Sequence, residues 1–113
     1  MHELSIATNV VEIVEEEAKA KQAQKVTKLE LEVGALSGVV MDALKFAMEE
    51  AVKNTIMQNA SIHYHVIDGI AKCENCSEQF DTEEYFSPCL KCGHPYTDII
   101  QGKELKIKSI NIE

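Results

Sequence analysis

The chain has 113 residues, a length that suits one compact domain or two very small ones. Its net charge of −8 comes from nineteen acidic residues against eleven lysines and no arginine, which argues against a nucleic-acid-binding protein. No apolar run is long enough to span a bilayer and no secretory signal is recognisable, so we expect a cytoplasmic protein with reduced cysteines.

A first helix is predicted over residues 4–22, where apolar residues recur in steps of three and four. Its apolar stripe consists of Leu4, Ile6, Ala7, Val10, Val11, Ile13, Val14 and Ala18. The charged residues on the other face are typical of solvated helix surface rather than of a partner site.

The period changes to two between Lys25 and Gly34, which predicts a strand with one buried face. Gly34 and the Ser37-Gly38 pair indicate the turn that follows. Helical spacing then returns from Val40 to about Lys53 and predicts a second helix.

Within this second helix we expect Phe46 to lie in the core. The methionines Met41, Met48 and Met57 could be proposed as soft metal ligands. At helical spacing and without a nearby cysteine, they are interpreted as packing residues.

Two more strands are predicted, at residues 60–68 and 103–113. In the first, His63 and His65 share a face and could chelate a metal, although the polar side of a half-exposed sheet is the favoured interpretation. In the second, the apolar phase changes at Ile110, as a bulge or a two-sided environment would require.

All four cysteines lie in two Cys-x-x-Cys pairs, Cys73/Cys76 and Cys89/Cys92, with twelve residues between the pairs. Two tight turns across a short hairpin can bring four thiolates onto one Zn²⁺ ion. Two disulfides are the alternative, but cysteines only two residues apart rarely reach disulfide geometry. Four protein ligands leave no open position, so the zinc is expected to be structural.

The predicted fold is α+β, with a three-stranded sheet, two helices packed on it and an inserted zinc-ribbon hairpin. The expected domains are residues 1–68 with 101–113, and the zinc ribbon at residues 69–100. A ribbon this small cannot bury a core of its own, so the zinc substitutes for one.

The N-terminus, Met1-His2-Glu3, offers a second donor set. The α-amine, the deprotonated amide and Nδ1 of His2 form fused chelate rings, a nitrogen-rich set that suits Ni²⁺ or Cu²⁺. Glu3 could add its carboxylate or its own amide. The residues alone favour the simpler interpretation, an exposed histidine with no metal role.

The chain closely resembles the HypA/HybF family over essentially its whole length. The resemblance is carried by Met1-His2-Glu3-Leu4-Ser5, by Val33-Gly34-Ala35-Leu36-Ser37, by Leu44-Lys45-Phe46 and by the paired Cys-x-x-Cys motifs, in that order. Some relatives have His where Ser77 and Gly93 follow the two pairs here, which leaves His94 as the nearby imidazole.

The resemblance implies a nickel metallochaperone for [NiFe]-hydrogenase maturation and, in some bacteria, for urease. It implies nickel ligands at Met1, His2 and Glu3, and zinc ligands at Cys73, Cys76, Cys89 and Cys92. The partners it implies are a nickel-binding GTPase, the hydrogenase large subunit and a urease accessory protein.

Two other classes of function are open. A zinc-ribbon adaptor that only binds proteins would tolerate replacement of His2. An enzyme is disfavoured because no paired carboxylates, nucleophile with base, or phosphate loop occurs at usable spacing.

Overall fold

The computed structural model describes residues 2–113, which form two helices and six strands. The helices are α1 (Glu3–Ala20) and α2 (Met41–Ala51). The strands are β1 (Val26–Gly34), β2 (Ser61–Ile67), β3 (Ile70–Cys73), β4 (Gln79–Asp81), β5 (Thr97–Gln101) and β6 (Leu105–Ile112). Neither helix is long and apolar enough to cross a membrane, among the residues described.

The strands form two three-stranded sheets. In one sheet β1 lies between β2 and β6, and in the other β3 lies between β4 and β5. The α+β fold class is therefore confirmed. The inserted cysteine segment is more than the expected hairpin, because β5 pairs with β3 on the edge opposite β4.

The chain divides into two compact units. The first comprises the chain up to Leu31, with Val39–Tyr64 and Ile107–Glu113, and the second comprises Glu32–Gly38 and His65–Lys106. These units are defined by contacts within the chain and not by metal binding. The functional division into residues 1–68 with 101–113 and residues 69–100 therefore stays a prediction.

The core of the first unit is built from the apolar faces of α1, α2 and β1, and the two helices contact each other. Its buried side chains include Ala7, Val10, Val11, Val14, Ala18, Val26, Leu29, Leu31, Leu44, Ala47, Met48 and Met57. Met48 and Met57 are fully buried, which confirms their interpretation as packing residues.

The core prediction was wrong for Phe46, which is 65% exposed. Leu44 and Met48 are buried, and Phe46 lies two residues from each, so the helical rotation places it on the opposite face of α2. Leu4 and Ile13 are also exposed, whereas the buried side chain at the start of α1 belongs to Glu3.

Helix α1 ends at Ala20, two residues before the predicted end. Gln22 adopts a φ of 56°, and its N–H donates to the Lys19 carbonyl while the Ala23 N–H donates to the Ala18 carbonyl. This pair of bonds is the Schellman motif, which satisfies the last carbonyls of a helix.

The alternation of burial changes phase in both outer strands of the first sheet. In β6 the half-buried Ser109 is followed by the half-buried Ile110, where the sequence predicts a phase change. In β2 the change falls at Tyr64 and His65, so the regular alternation predicted for residues 60–68 does not continue through the strand.

Glycines allow close backbone packing in the second unit. A Cβ at Gly34 would lie 2.0 Å from the carbonyl oxygen of Gly102, and a Cβ at Gly69 would lie 2.4 Å from the Thr82 carbonyl oxygen. In the same region the Leu36 N–H donates a hydrogen bond of 2.7 Å to the Gly102 carbonyl oxygen. Only glycine fits at these crossings.

The opposite burial of two α2 residues gives a direct test of the packing. Leu44→Ala should destabilise the protein by about 2–5 kcal/mol because it leaves a cavity in the core. Phe46→Ala should change the free energy of unfolding by about 0.5 kcal/mol or less. Urea denaturation of both variants measures the two effects, and equal destabilisation would contradict the exposed placement of Phe46.

Candidate metal centres

The four cysteines converge on one point in the second unit. Cys73 Sγ lies 3.6 Å from Cys92 Sγ, and Cys76 Sγ lies 3.6 Å from Cys89 Sγ. All four sulfurs lie within 4.8 Å of one another, and no disulfide joins them. The structure therefore brings together the full set of cysteines that the sequence predicts and does not contain the alternative disulfides.

The two Cys-x-x-Cys turns have the same pattern of backbone hydrogen bonds to sulfur. In the first, Cys73 Sγ accepts the N–H groups of Asn75 at 3.3 Å and Cys76 at 3.4 Å. In the second, Cys89 Sγ accepts the N–H groups of Lys91 at 3.3 Å and Cys92 at 3.4 Å. In each turn, two backbone N–H groups thus hold the first cysteine sulfur by hydrogen bonds. The second cysteine sulfur of each pair lies at the same centre.

Each turn is completed by a residue in the left-handed region. Ser77 has a φ of 64° and Gly93 has a φ of 76°. Their N–H groups donate to the carbonyls of Cys73 at 3.1 Å and Cys89 at 3.0 Å. Gly93 reaches this conformation freely, whereas Ser77 adopts it without the freedom of glycine.

The sulfur positions fit a tetrahedral Zn²⁺ ion. Sulfurs bound at about 2.3 Å from a tetrahedral zinc lie about 3.8 Å apart, which is close to the two 3.6 Å separations. Cys73 and Cys89 are buried, while Cys76 and Cys92 are exposed. A Zn²⁺ ion bound by all four sulfurs would cross-link the two turns. It would have no open position for a reacting water.

Backbone dipoles favour thiolates at the second turn. The pKa of the Cys89 thiol is lowered to about 6, chiefly by the Cys92 N–H and also by the Lys91 N–H. The pKa of Cys92 is also lowered, chiefly by the N–H of His94. Both effects favour the deprotonated form in which cysteine binds a metal.

The pKa of the Cys76 thiol changes in the opposite direction. The N–H of Glu78 lowers it, but desolvation and the neighbouring cysteine sulfurs outweigh that effect and raise the pKa to about 12. Adjacent thiolates repel one another, so the four thiols are hard to ionise together without a cation. A divalent ion at the centre removes this repulsion.

The predicted N-terminal site begins with Met1, which lies outside the described residues. His2 is exposed and is the N-cap residue of α1, and its carbonyl accepts the N–H of Ile6 at 2.9 Å. Its imidazole is therefore on the protein surface, next to the first turn of a helix.

Glu3 has a role that the sequence did not reveal. Its side chain is buried, and its Oε2 accepts the N–H of Val40, the N-cap residue of α2, at 3.1 Å. This hydrogen bond is the largest of the interactions that lower the pKa of the Glu3 carboxyl group. The carboxylate thus stabilises the start of α2 from the first residue of α1.

The other histidines do not join the cysteine cluster, which is the only group of three or more candidate ligands among residues 2–113. His63 is exposed and His65 is half-buried on β2. The His94 ring packs edge-on against Tyr96 at 5.7 Å, and its carbonyl accepts the Cys89 N–H.

The Asn75 side chain makes a contact at the cysteine centre that the spacing of the cysteines does not reveal. The Asn75 side chain donates from Nδ2 to Cys92 Sγ at 3.8 Å, and so connects the first turn to the second. The spacing of the cysteines identifies the two turns, but which side chain between them reaches across depends on how the turns face each other.

The family described as "Hydrogenase/urease nickel incorporation, metallochaperone, hypA" matches residues 1–112. The chain belongs to the HypA family. Two curated HypA relatives, both named "Hydrogenase maturation factor HypA", come from Parabacteroides distasonis and Prosthecochloris aestuarii. The chain is 46% identical to the first over 113 residues, covering 100% of this chain and 98% of the relative. It is 43% identical to the second, and that alignment covers 100% of each chain.

Solved HypA structures have the same fold. The solution structure of the Ni metallochaperone HypA from Helicobacter pylori has a TM-score of 0.71 at 24% identity, covering 99% of this chain and 97% of that one. A second solution structure of a HypA protein has a TM-score of 0.74, also at 24% identity, covering 100% of this chain and 97% of that one.

The four-cysteine centre predicts that each ligand is needed for the fold of the second unit. Cys73→Ala or Cys92→Ala should lose most of the bound zinc and unfold residues 70–100, while α1 and α2 persist, because metal binding and folding are coupled. Metal analysis and amide NMR spectra measure the two effects. Unaltered zinc content in either variant would contradict the four-cysteine assignment.

Proposed function

We propose that this protein carries Ni²⁺ during maturation of a [NiFe]-hydrogenase, bound at Met1, His2 and Glu3, while Cys73, Cys76, Cys89 and Cys92 hold a structural Zn²⁺. The observation that carries the proposal is the exposed His2 at the N-cap of α1, in a chain of the HypA family. The closed sulfur centre and the terminal nitrogen donors then have separate roles.

The position of His2 supports a chelate that uses a backbone nitrogen. The N–H groups at the start of a helix have no intrahelical acceptor, so binding of a metal by the His2 amide breaks no helical hydrogen bond. Deprotonation leaves a negative charge at that nitrogen, and the positive end of the helix dipole stabilises negative charge there. The His2 carbonyl keeps its bond to Ile6.

The hydrogen bond between Glu3 and Val40 limits which atom of Glu3 can bind nickel. Its carboxylate already accepts the Val40 N–H, and a metal bond from that oxygen would compete with the cap of α2. We therefore assign the contribution of Glu3 to its amide nitrogen, the other donor that the sequence offers.

The donor chemistry explains how nickel is released. An exposed terminus with few protein donors allows a partner's cysteine thiolates to replace the nitrogens one at a time, without unfolding of the carrier. Four thiolates around one ion hold it more tightly and release it more slowly, which suits structural zinc.

We further propose that the protein works with a nickel-binding GTPase and passes nickel to the hydrogenase large subunit, with a urease accessory protein as a further partner. Reduced cysteines favour the cytoplasm as the compartment. The protein binds and transfers a metal, and we assign it no catalysed reaction.

The α-amine is the group that distinguishes a terminal chelate from every internal site. Placing Gly-Ser before Met1 converts the amine into an amide and removes one chelate ring, while His2→Ala removes the imidazole. Both changes should abolish stoichiometric nickel binding in a calorimetric titration and maturation of the hydrogenase. The free energy of unfolding should change by only about 0.5 kcal/mol, as for other surface changes.

The control is a double variant, His63→Ala with His65→Ala, which removes the competing histidine pair on β2 and should bind nickel normally. If the extended protein bound nickel and the strand variant did not, the terminal site would be wrong. If His2→Ala matured the hydrogenase normally, an adaptor without a nickel-carrying role would replace the proposal.

A further inference from the structure

A short loop of the second unit presents a phenylalanine to solvent. The loop, residues 82–87, follows β4 and precedes Cys89, and we call it the Phe86 loop. Phe86 is 92% exposed, the highest value among the large apolar side chains of the described residues. Leu90 and Tyr96, which follow it in the chain, are 77% and 66% exposed.

The Phe86 loop is held in one conformation by hydrogen bonds around a buried threonine. The Thr82 hydroxyl donates to the Glu84 carbonyl at 2.9 Å and accepts the Glu84 N–H at 3.1 Å. It also lies 2.8 Å from the Ser87 hydroxyl. The Thr97 hydroxyl donates to the Ser87 carbonyl at 2.9 Å, which fastens the end of the loop to β5.

Tyr85 anchors the loop at its centre. Its hydroxyl donates to the Leu36 carbonyl in the turn after β1, and Leu36 is itself buried. Tyr85 thus points its hydroxyl into the unit while its neighbour Phe86 remains in water. Exposure of Phe86 contributes no burial energy to folding, whereas a loop already tied by hydrogen bonds lowers the entropy lost on binding.

The charges around Phe86 limit what can bind there. Asp81, Glu83 and Glu84 precede it and are exposed, and no lysine or arginine occurs between Cys73 and Leu90. The next cation, Lys91, lies 3.8 Å from the Glu78 carboxylate. The loop therefore presents the exposed Phe86 side chain to solvent. Asp81, Glu83 and Glu84 border it, and we call these three residues the acidic rim.

The acidic rim makes several kinds of binding partner unfavourable. A second copy of the chain in a two-fold contact would bring the same carboxylates together, which costs binding energy. Phosphates of nucleic acids or anionic lipids would be repelled for the same reason. The complementary surface is a protein with an apolar pocket bordered by lysine or arginine.

We propose that the Phe86 loop docks the chain onto the nickel recipient, with Phe86 inserted into an apolar pocket that has a basic rim. The inference rests on the proposed function, which makes the hydrogenase large subunit the recipient. A labile chelate with few donors loses its metal to solvent unless the recipient is already bound. The Phe86 loop contains no proposed nickel ligand. Docking through it therefore leaves Met1 and His2 able to give up nickel to the recipient.

The test is titration of the protein with the purified large subunit from the same organism. Phe86→Ala should weaken binding about tenfold or more, as for a buried aromatic anchor, and Phe86→Leu should retain most of it. Phe46→Ala, which removes the exposed phenylalanine of α2, is the matched control and should bind like the wild type.

The acidic rim is tested separately by Glu83→Gln combined with Glu84→Gln. This variant should bind severalfold more weakly at low salt and should depend less on salt concentration than the wild type, because two charges of the interface are gone. Every variant should keep its zinc and its terminal nickel binding, so loss of docking is distinguishable from failure of the carrier function.

Three results would overturn the docking proposal. The first is wild-type affinity for the large subunit in Phe86→Ala. The second is a loss of GTPase binding in that variant with no change toward the large subunit, which would give the loop another occupant. The third is self-association of the wild type that Phe86→Ala abolishes, measured by sedimentation.

Discussion

The convergence of four sulfurs is the constraint on which the second unit depends. The buried hydrophobic side chains of this unit are Val33, Leu36, Ala71, Cys73 and Cys89, a small core for three short strands. Backbone N–H groups hold two of the sulfurs, and desolvation and the neighbouring sulfurs raise the pKa of Cys76. In the proposed function a Zn²⁺ ion on the four sulfurs supplies the cohesion that a hydrophobic core supplies elsewhere.

In the proposed function the chain holds two metals in opposite ways, and its donors divide accordingly. Four sulfurs on paired turns converge on one point and would leave an ion there no open position. At the other site, a helix N-terminus provides a backbone nitrogen where negative charge is favourable, next to an exposed imidazole. Oε2 of Glu3 accepts the Val40 N–H, so the proposed terminal chelate relies on nitrogen donors.

Local patterns in the sequence predicted the parts of the structure that depend on neighbouring residues. The strand at residues 25–34, both helices and the cysteine turns follow from periodicity and spacing. Phe46 was misplaced because its large apolar side chain suggested the core, whereas helical rotation places it on the face of α2 opposite Leu44 and Met48. The role of Glu3 was unpredictable because Val40 lies 37 residues away. The third strand of the cysteine sheet was missed because the residue types at 97–101, Thr-Asp-Ile-Ile-Gln, do not alternate between apolar and polar, although their burial does.

X-ray absorption at the zinc and nickel edges of one doubly loaded sample tests the separation of the two metals most directly. The zinc edge should show a shell of four sulfurs at about 2.3 Å. The nickel edge should show nitrogen and oxygen neighbours only, with the outer-shell scattering of one imidazole. Sulfur in the nickel shell, or nitrogen replacing sulfur at zinc, would contradict the separation of a closed sulfur centre from a terminal nitrogen chelate.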